Sequence, residues 1–175
     1  MADPPVSPST QTVVFIDTNV LLYAASDDRL DPGKKRLAQE LIEMRPFVVS
    51  MQVVQEFHVN ATQKIALGIS SEHAAKVLDG LLERSVVGVT PELFREAVVL
   101  QSRFSLSYWD AAIVAAARMG GCKLVFSEDM GHLVVFDRVM VVNPFMEQGR
   151  WIRENPPRLQ RLERGYGATE WVVTQ

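Results

Sequence analysis

The chain predicts an α/β fold, a mostly parallel sheet covered by helices on both faces. Three observations lead there. Short runs of β-branched and aromatic residues alternate with segments of helical periodicity, the pattern of successive βα units. Several of the runs, beginning with Val13–Ile16, have no polar interruption, as expected of strands buried on both faces. No internal repeat is present, so the units build one sheet rather than an array.

Composition narrows the class. At 175 residues the chain suits one domain with a substantial core, and its 47% hydrophobic content is ordinary for a globular protein. No apolar run approaches the ~20 residues needed to span a bilayer. The first twelve residues, rich in Pro and Ser, read as a flexible lead-in rather than a secretory signal. The single Cys122 excludes an internal disulfide and fits a reducing cytoplasm. Eighteen Lys and Arg against 21 Asp and Glu give a net charge of −3. That balance lacks the basic footprint of a protein held to nucleic acid chiefly by phosphates, so any such contact must be local or cation-assisted.

Taken in order, Val13–Ile16 is the first strand and runs into Asp17, which caps a helix carrying Val20, Leu21, Leu22 and Ala24. Residues 26–33 are turn-rich. The helix KKRLAQELIEM puts Leu37, Leu41 and Ile42 on one face and Lys34, Lys35 and Arg36 on a solvated side. Pro46 breaks the pattern, and Phe47–Val49 form a strand ending at Ser50. The following helix carries Glu56 nearly two turns in, beside apolar Val53, Val54 and Phe57. His58 and His73 have no ligand partner one turn away and read as surface residues. Ser71 is placed to cap a helix whose Ala74, Ala75, Val77, Leu78, Leu81 and Leu82 suggest two buried sides and a subunit contact.

VVGVT is the next strand, and Thr90 and Pro91 supply the cap and first position of a helix ending near Phe104. In SLSYWDAAIVAAARMGG, Ser107 and Asp110 have capping-box spacing. The alanines at 111, 112, 115, 116 and 117 permit close backbone approach, and Gly120 and Gly121 end the helix. Lys123–Phe126 is a strand closed by Ser127, Glu128 and Asp129, after which Gly131 and His132 turn the chain. VMVVNPF is a last strand closed by Asn143 and Pro144. The expected organisation is a lead-in at 1–12, a folded domain at 13–145 and an extension at 146–175. The extension is rich in Arg, with Trp151, Tyr166 and Trp171 interspersed, a composition able to contact RNA or a protein partner.

Asp17, Glu56, Asp110 and Asp129 all fall near strand ends or early helical turns. In a parallel sheet such points collect at one edge, where ligands bind. Gathered carboxylates repel unless cations intervene. Mg²⁺ or Mn²⁺ answers this need, since these ions take oxygen ligands and bridge phosphate oxygens.

Asp17 within VVFIDTNVLLYA, Glu56 within SMQVVQEF, Asp110 within SYWDAAIVAAA, Asp129 within KLVFSEDM and the closing VVNPF together resemble the PIN domain, in particular the VapC-type toxin ribonucleases. The resemblance covers Val13 to Phe145 in order. It implies a three-layer α/β/α sandwich, Mg²⁺- or Mn²⁺-dependent cleavage of RNA, a homodimer and a cognate antitoxin protein. Carried over residue by residue, it makes Asp17, Glu56, Asp110 and Asp129 the catalytic and metal-holding acids, with Asn19 and Ser127 as supporting polar groups. Glu128 is a neighbour able to assist or replace Asp129. The Arg-rich extension and the long lead-in depart from the family pattern. Two other readings compete: a non-catalytic PIN module that binds RNA or a partner, and an Asp-nucleophile phosphatase. The phosphatase reading calls for a second Asp two residues after Asp17, where this chain has Asn19.

Overall fold

A computed structural model describes residues 13–27, 29–44 and 46–146, and the backbone of 159–164 and 168–173. The predicted lead-in lies outside the described residues, as do Trp151 and Tyr166.

The elements follow the predicted alternation. β1 (Val14–Ile16) leads into α1 (Thr18–Ala25) and α2 (Pro32–Met44). β2 (Phe47–Ser50) is followed directly by α3 (Met51–Gln63) and then α4 (Ser71–Leu82). β3 (Ser85–Val87) precedes α5 (Pro91–Phe104) and α6 (Tyr108–Met119). β4 (Leu124–Phe126), β5 (Val134–Phe136) and β6 (Val139–Val142) complete the sheet. Its strand order is β3-β2-β1-β4-β6-β5. β1 pairs in parallel with β2 and β4, β2 with β3, and β4 with β6; β5 alone runs antiparallel, against β6. The four central strands, β2, β1, β4 and β6, are buried along their whole length, which explains their uninterrupted apolar sequences. The architecture is the expected three-layer α/β/α sandwich: α1 packs on α2, α3 and α4, while α6 packs on α5 and across β2, β4 and β6.

The alanine-rich α6 is the most deeply set helix, with Ala111 through Ala117 all buried. Its end lies so close to β2 that a Cβ on Gly120 would come within 2.8 Å of Val48 Cγ1. Thr90 caps α5 as expected, its hydroxyl accepting from the Leu93 N–H at 3.2 Å, with Pro91 opening the helix. Other details differ. Ser70, not Ser71, caps α4, accepting from the His73 N–H at 3.2 Å. Within the single chain that helix buries Ala74 and Leu81 on one side, while Ala75 and Leu82 are exposed. β3 begins earlier than expected, at Ser85.

The antiparallel β5 was not anticipated. It joins β6 through Asp137 and Arg138, both left-handed (φ 42° and 75°), a two-residue hairpin turn built without the glycine that normally announces it. Leu159–Arg164 and Ala168–Val173 pair as a separate antiparallel hairpin within the extension. Among the described residues, no helix is long and apolar enough to cross a membrane.

Candidate active site

Because β1, β2, β4 and β6 are parallel, their carboxyl ends share one edge, and the polar residues that follow them converge there. Asp17 continues β1 by one residue, its backbone N–H donating to the Phe126 carbonyl at 3.0 Å. It then caps α1 in an extended conformation, with Oδ1 accepting from the Thr18 N–H at 2.7 Å. Its Oδ2 accepts from the Ser127 hydroxyl at 2.6 Å and from Asn19 Nδ2 at 3.2 Å. Ser127, just past β4, is fully buried and is fixed by its own N–H donating to the Val142 carbonyl. Burial pushes the Asp17 carboxyl up to about 6, opposed by the Ser127 and Thr18 hydrogen bonds and reinforced by the charges of Glu56 and Asp129.

Glu56 reaches the same place from α3. Ser50 ends β2 and caps that helix, its hydroxyl accepting from the Val53 N–H, so strand and helix join without a loop. Glu56 Oε2 accepts from the Thr18 hydroxyl at 2.8 Å, and Oε1 accepts from Gln52 Nε2 at 2.9 Å. Asp110 lies in the first turn of α6. Its N–H donates to the Ser107 hydroxyl at 3.1 Å, and that hydroxyl donates to Asp110 Oδ2 at 2.8 Å, which leaves the other carboxylate oxygen without a hydrogen bond among the described residues. The capping role and a site role are therefore compatible. Asp129 accepts from Asn19 Nδ2 at 3.3 Å, and its own N–H donates to Ser127 Oγ at 3.3 Å.

All four acids line one cleft of about 280 Å³, together with Thr18, Asn19, Gln52, Asn60, Lys64 and Trp109. They surround a shared space rather than a single point: among the described residues no three His, Cys, Asp or Glu side chains form a ready-made ligand cluster. Glu128 does not line the cleft. Its carboxylate pairs with Lys34, whose ammonium also donates to Tyr23 OH at 3.0 Å and sits 4.5 Å from the Tyr23 ring centroid. Only its backbone serves the site, with its N–H donating to Asn19 Oδ1 at 3.2 Å and its carbonyl accepting from Asn143 Nδ2 at 3.1 Å. Lys34, read from sequence as solvated, is instead a clamp on this loop.

Against known families, the sequence matches the PIN domain over residues 14–139. The chain belongs to the PIN-domain family. Solved structures share the fold at low sequence identity. A toxin–antitoxin complex from Klebsiella pneumoniae superposes with a TM-score of 0.57 at 19% identity, covering 75% of this chain and 98% of that one. VapC20 from Mycobacterium tuberculosis, a sarcin-ricin-loop-cleaving toxin, gives 0.53 at 20% identity, with 67% and 90% covered. FitAcB from Neisseria gonorrhoeae gives 0.52 at 18%, with 76% and 99% covered. No curated protein matches by sequence.

Several residues of this PIN domain's cleft escaped sequence reasoning. Gln52 and Asn60 flank Glu56 at four-residue spacing and so share its helix face, a signal that was available. Thr18 and Trp109 adjoin Asp17 and Asp110, but sequence adjacency does not reveal which side chains turn into a site. The Lys34–Glu128 pair spans 94 positions and carries no local signal.

Proposed function

We propose that the protein is a metal-dependent endoribonuclease, the toxin of a type II toxin–antitoxin pair. The observation that carries this reading is the convergence of Asp17, Glu56, Asp110 and Asp129, drawn from four separate segments, on one cleft at the carboxyl edge of a parallel sheet. The donor set suits Mg²⁺ or Mn²⁺: every acidic ligand is a hard oxygen, and burial of the Asp17 carboxyl makes a cation the natural way to keep it ionised. Mg²⁺ commonly uses one or two carboxylates plus waters and phosphate oxygens, so a cleft of spread acids fits it better than a closed cage would.

Asp17, Asp110, Glu56 and Asp129 would hold the ion. When bound, it lowers the pKa of water and neutralises charge on the phosphate, the chemistry of hydrolysis at neutral pH. The chain's own groups fix the rest. Ser127 and Thr18 hold both oxygens of Asp17 in place, and Asn19 ties Asp17 to Asp129. Thr18 and Gln52 aim Glu56, and Ser107 aims Asp110. Such supporting hydrogen bonds commonly orient metal-binding carboxylates.

An RNA substrate is supported by the resemblance of the fold to the sarcin-ricin-loop-cleaving VapC20. An antitoxin partner is supported by the resemblance of the fold to the Klebsiella toxin–antitoxin complex. A groove of about 270 Å³ between α1, α2 and α4, lined by apolar Leu21, Ile42, Val77 and Leu81 and by charged Glu43, Lys76 and Arg84, suits such a partner. Exposed Val98 and Val99 on α5 support self-association as a homodimer, and the lone reduced Cys122 agrees with a cytoplasmic protein.

RNA incubated with the purified protein and Mg²⁺ or Mn²⁺ should yield fragments with 5′-phosphate and 3′-hydroxyl ends. EDTA and Asp110→Asn should each abolish cleavage. Induced expression should arrest growth, and Asp17→Asn should relieve the arrest. RNA left intact under every condition would refute the nuclease reading and leave a binding module.

A further inference from the structure

Trp109 stands next to Asp110 at the start of α6 and lines the candidate catalytic cleft, yet it is 63% exposed. It is the one aromatic side chain among the lining residues, whose other apolar members are Leu22 and Ile113. Its backbone is fixed in the first helical turn, and its ring is braced from behind. Tyr108 meets it edge-to-face at 5.2 Å and 73°, and Phe94 of α5 backs Tyr108 at 5.7 Å. A braced indole with an open face beside a hydrolytic cleft is a stacking platform. Just past the end of α3, the same cleft is lined by Lys64, the sole cation among its lining residues.

Resting on the nuclease reading, we propose that Trp109 stacks one nucleobase of the bound RNA strand while a backbone phosphate meets Lys64. The pairing follows from the two chemistries. An indole accepts the face of any base, and an ammonium serves a phosphate as a point charge. A base inside a duplex has no free face, so stacking on Trp109 selects loops, ends or bulges over paired RNA. Trp109 is then a positioning residue for a strand whose phosphate the acids attend.

The chain has three tryptophans, so replacing Trp151 and Trp171 by Phe leaves Trp109 as the only indole reporter. Adding Asp17→Asn keeps the strand intact in Mg²⁺. A short single-stranded oligoribonucleotide should then quench Trp109 fluorescence to saturation, and a blunt duplex of the same sequence should not. In the otherwise native chain, Trp109→Ala should lower kcat/KM roughly tenfold or more, mainly through KM, and Trp109→Phe should restore most of the loss. Lys64→Gln should weaken strand binding and reduce its salt dependence.

Absence of quenching, or an unchanged KM in Trp109→Ala, would overturn the proposal. Equal quenching by the duplex would overturn the preference for unpaired RNA. A shift from dimer to monomer in Trp109→Ala by size-exclusion chromatography, without loss of strand binding, would make Trp109 an interface residue and overturn it as well. The two readings fail differently: quenching without cleavage by the native chain removes the nuclease, whereas cleavage indifferent to Trp109 removes the stack.

Discussion

Thr18 binds two carboxylates at once: its backbone N–H donates to Asp17 at 2.7 Å and its hydroxyl donates to Glu56 at 2.8 Å. One helix-opening residue thus sets the spacing between acids 39 positions apart. Thr18→Val keeps the shape and the backbone bond but deletes the hydroxyl. The fold should survive, since the site is buried and the replacement nearly isosteric, while kcat/KM should fall about 10- to 100-fold, the usual cost of losing a group that orients a metal ligand. Thr18→Ser should retain most of the activity. Equal rates for Thr18→Val and the parent would show that Glu56 needs no such guide.

Asp17 should trade stability for function. Its carboxyl titrates near 3.8 in the unfolded chain and at about 6 in the fold, chiefly because it is buried. Between those values the native state holds the extra proton, so without metal the stability falls as pH rises through that window, and the full cost persists above it. Asp17→Asn cannot ionise. In EDTA at pH 7.5 it should be more stable than the parent by on the order of 2 kcal/mol, with the difference vanishing below about pH 4. Mg²⁺ should raise the Tm of the parent and do little for the variant. Denaturation curves across pH, with and without Mg²⁺, check both statements. A less stable Asp17→Asn at pH 7.5 would mean that the carboxylate is satisfied without a cation.

Glu128 and Asp129 adjoin in sequence but separate in space. Asp129 faces the cleft, while Glu128 turns back to Lys34. Glu128→Gln keeps the backbone N–H that Asn19 accepts, so cleavage should fall by no more than a few-fold, while Asp129→Asn should lose most of it. Lys34→Met should cost about 1 kcal/mol, since both partners are about three-quarters buried and the pair also anchors Tyr23. Rates and urea midpoints for the three variants separate these effects. A Glu128→Gln enzyme as impaired as Asp129→Asn would place Glu128 in the site.

Much of the fold was legible because its signals are local. The central strands read as continuous apolar runs since both faces are covered, and α6 read as deeply set since alanine is what close backbone packing requires. The acids could be picked out because parallel topology converts the end of each strand into a position on one edge. What stayed hidden depends on distant partners. On α4 the apolar pattern does not say which residues the chain itself covers: Ala74 and Leu81 are buried while Ala75 and Leu82 are exposed. Lys34 could not be told from Lys35 and Arg36 without knowing that Glu128 arrives from across the sheet.

The β5–β6 hairpin was missed for a reason that itself makes a prediction. Turns with both central residues left-handed favour Asn-Gly or Asp-Gly, and this chain has Asp137-Arg138 at φ 42° and 75°. Asp137 tolerates that conformation and is held by ion pairs to Arg103 at 2.9 Å and Arg118 at 2.5 Å, bonds reaching from α5 and α6. Arg138 is exposed, and its backbone carries the cost of a left-handed non-glycine residue. Arg138→Gly should relieve that cost and stabilise the protein by about 0.5–1 kcal/mol, raising Tm by roughly 1–4 °C for a domain of this size. Asp137→Ala should act the other way, because it removes the anchor for Arg103 and Arg118 and leaves a residue that resists positive φ. Neither change touches the cleft, so RNA cleavage per folded molecule should not move. A destabilised Arg138→Gly would show that the turn is set by contacts of the arginine side chain rather than by its backbone angle.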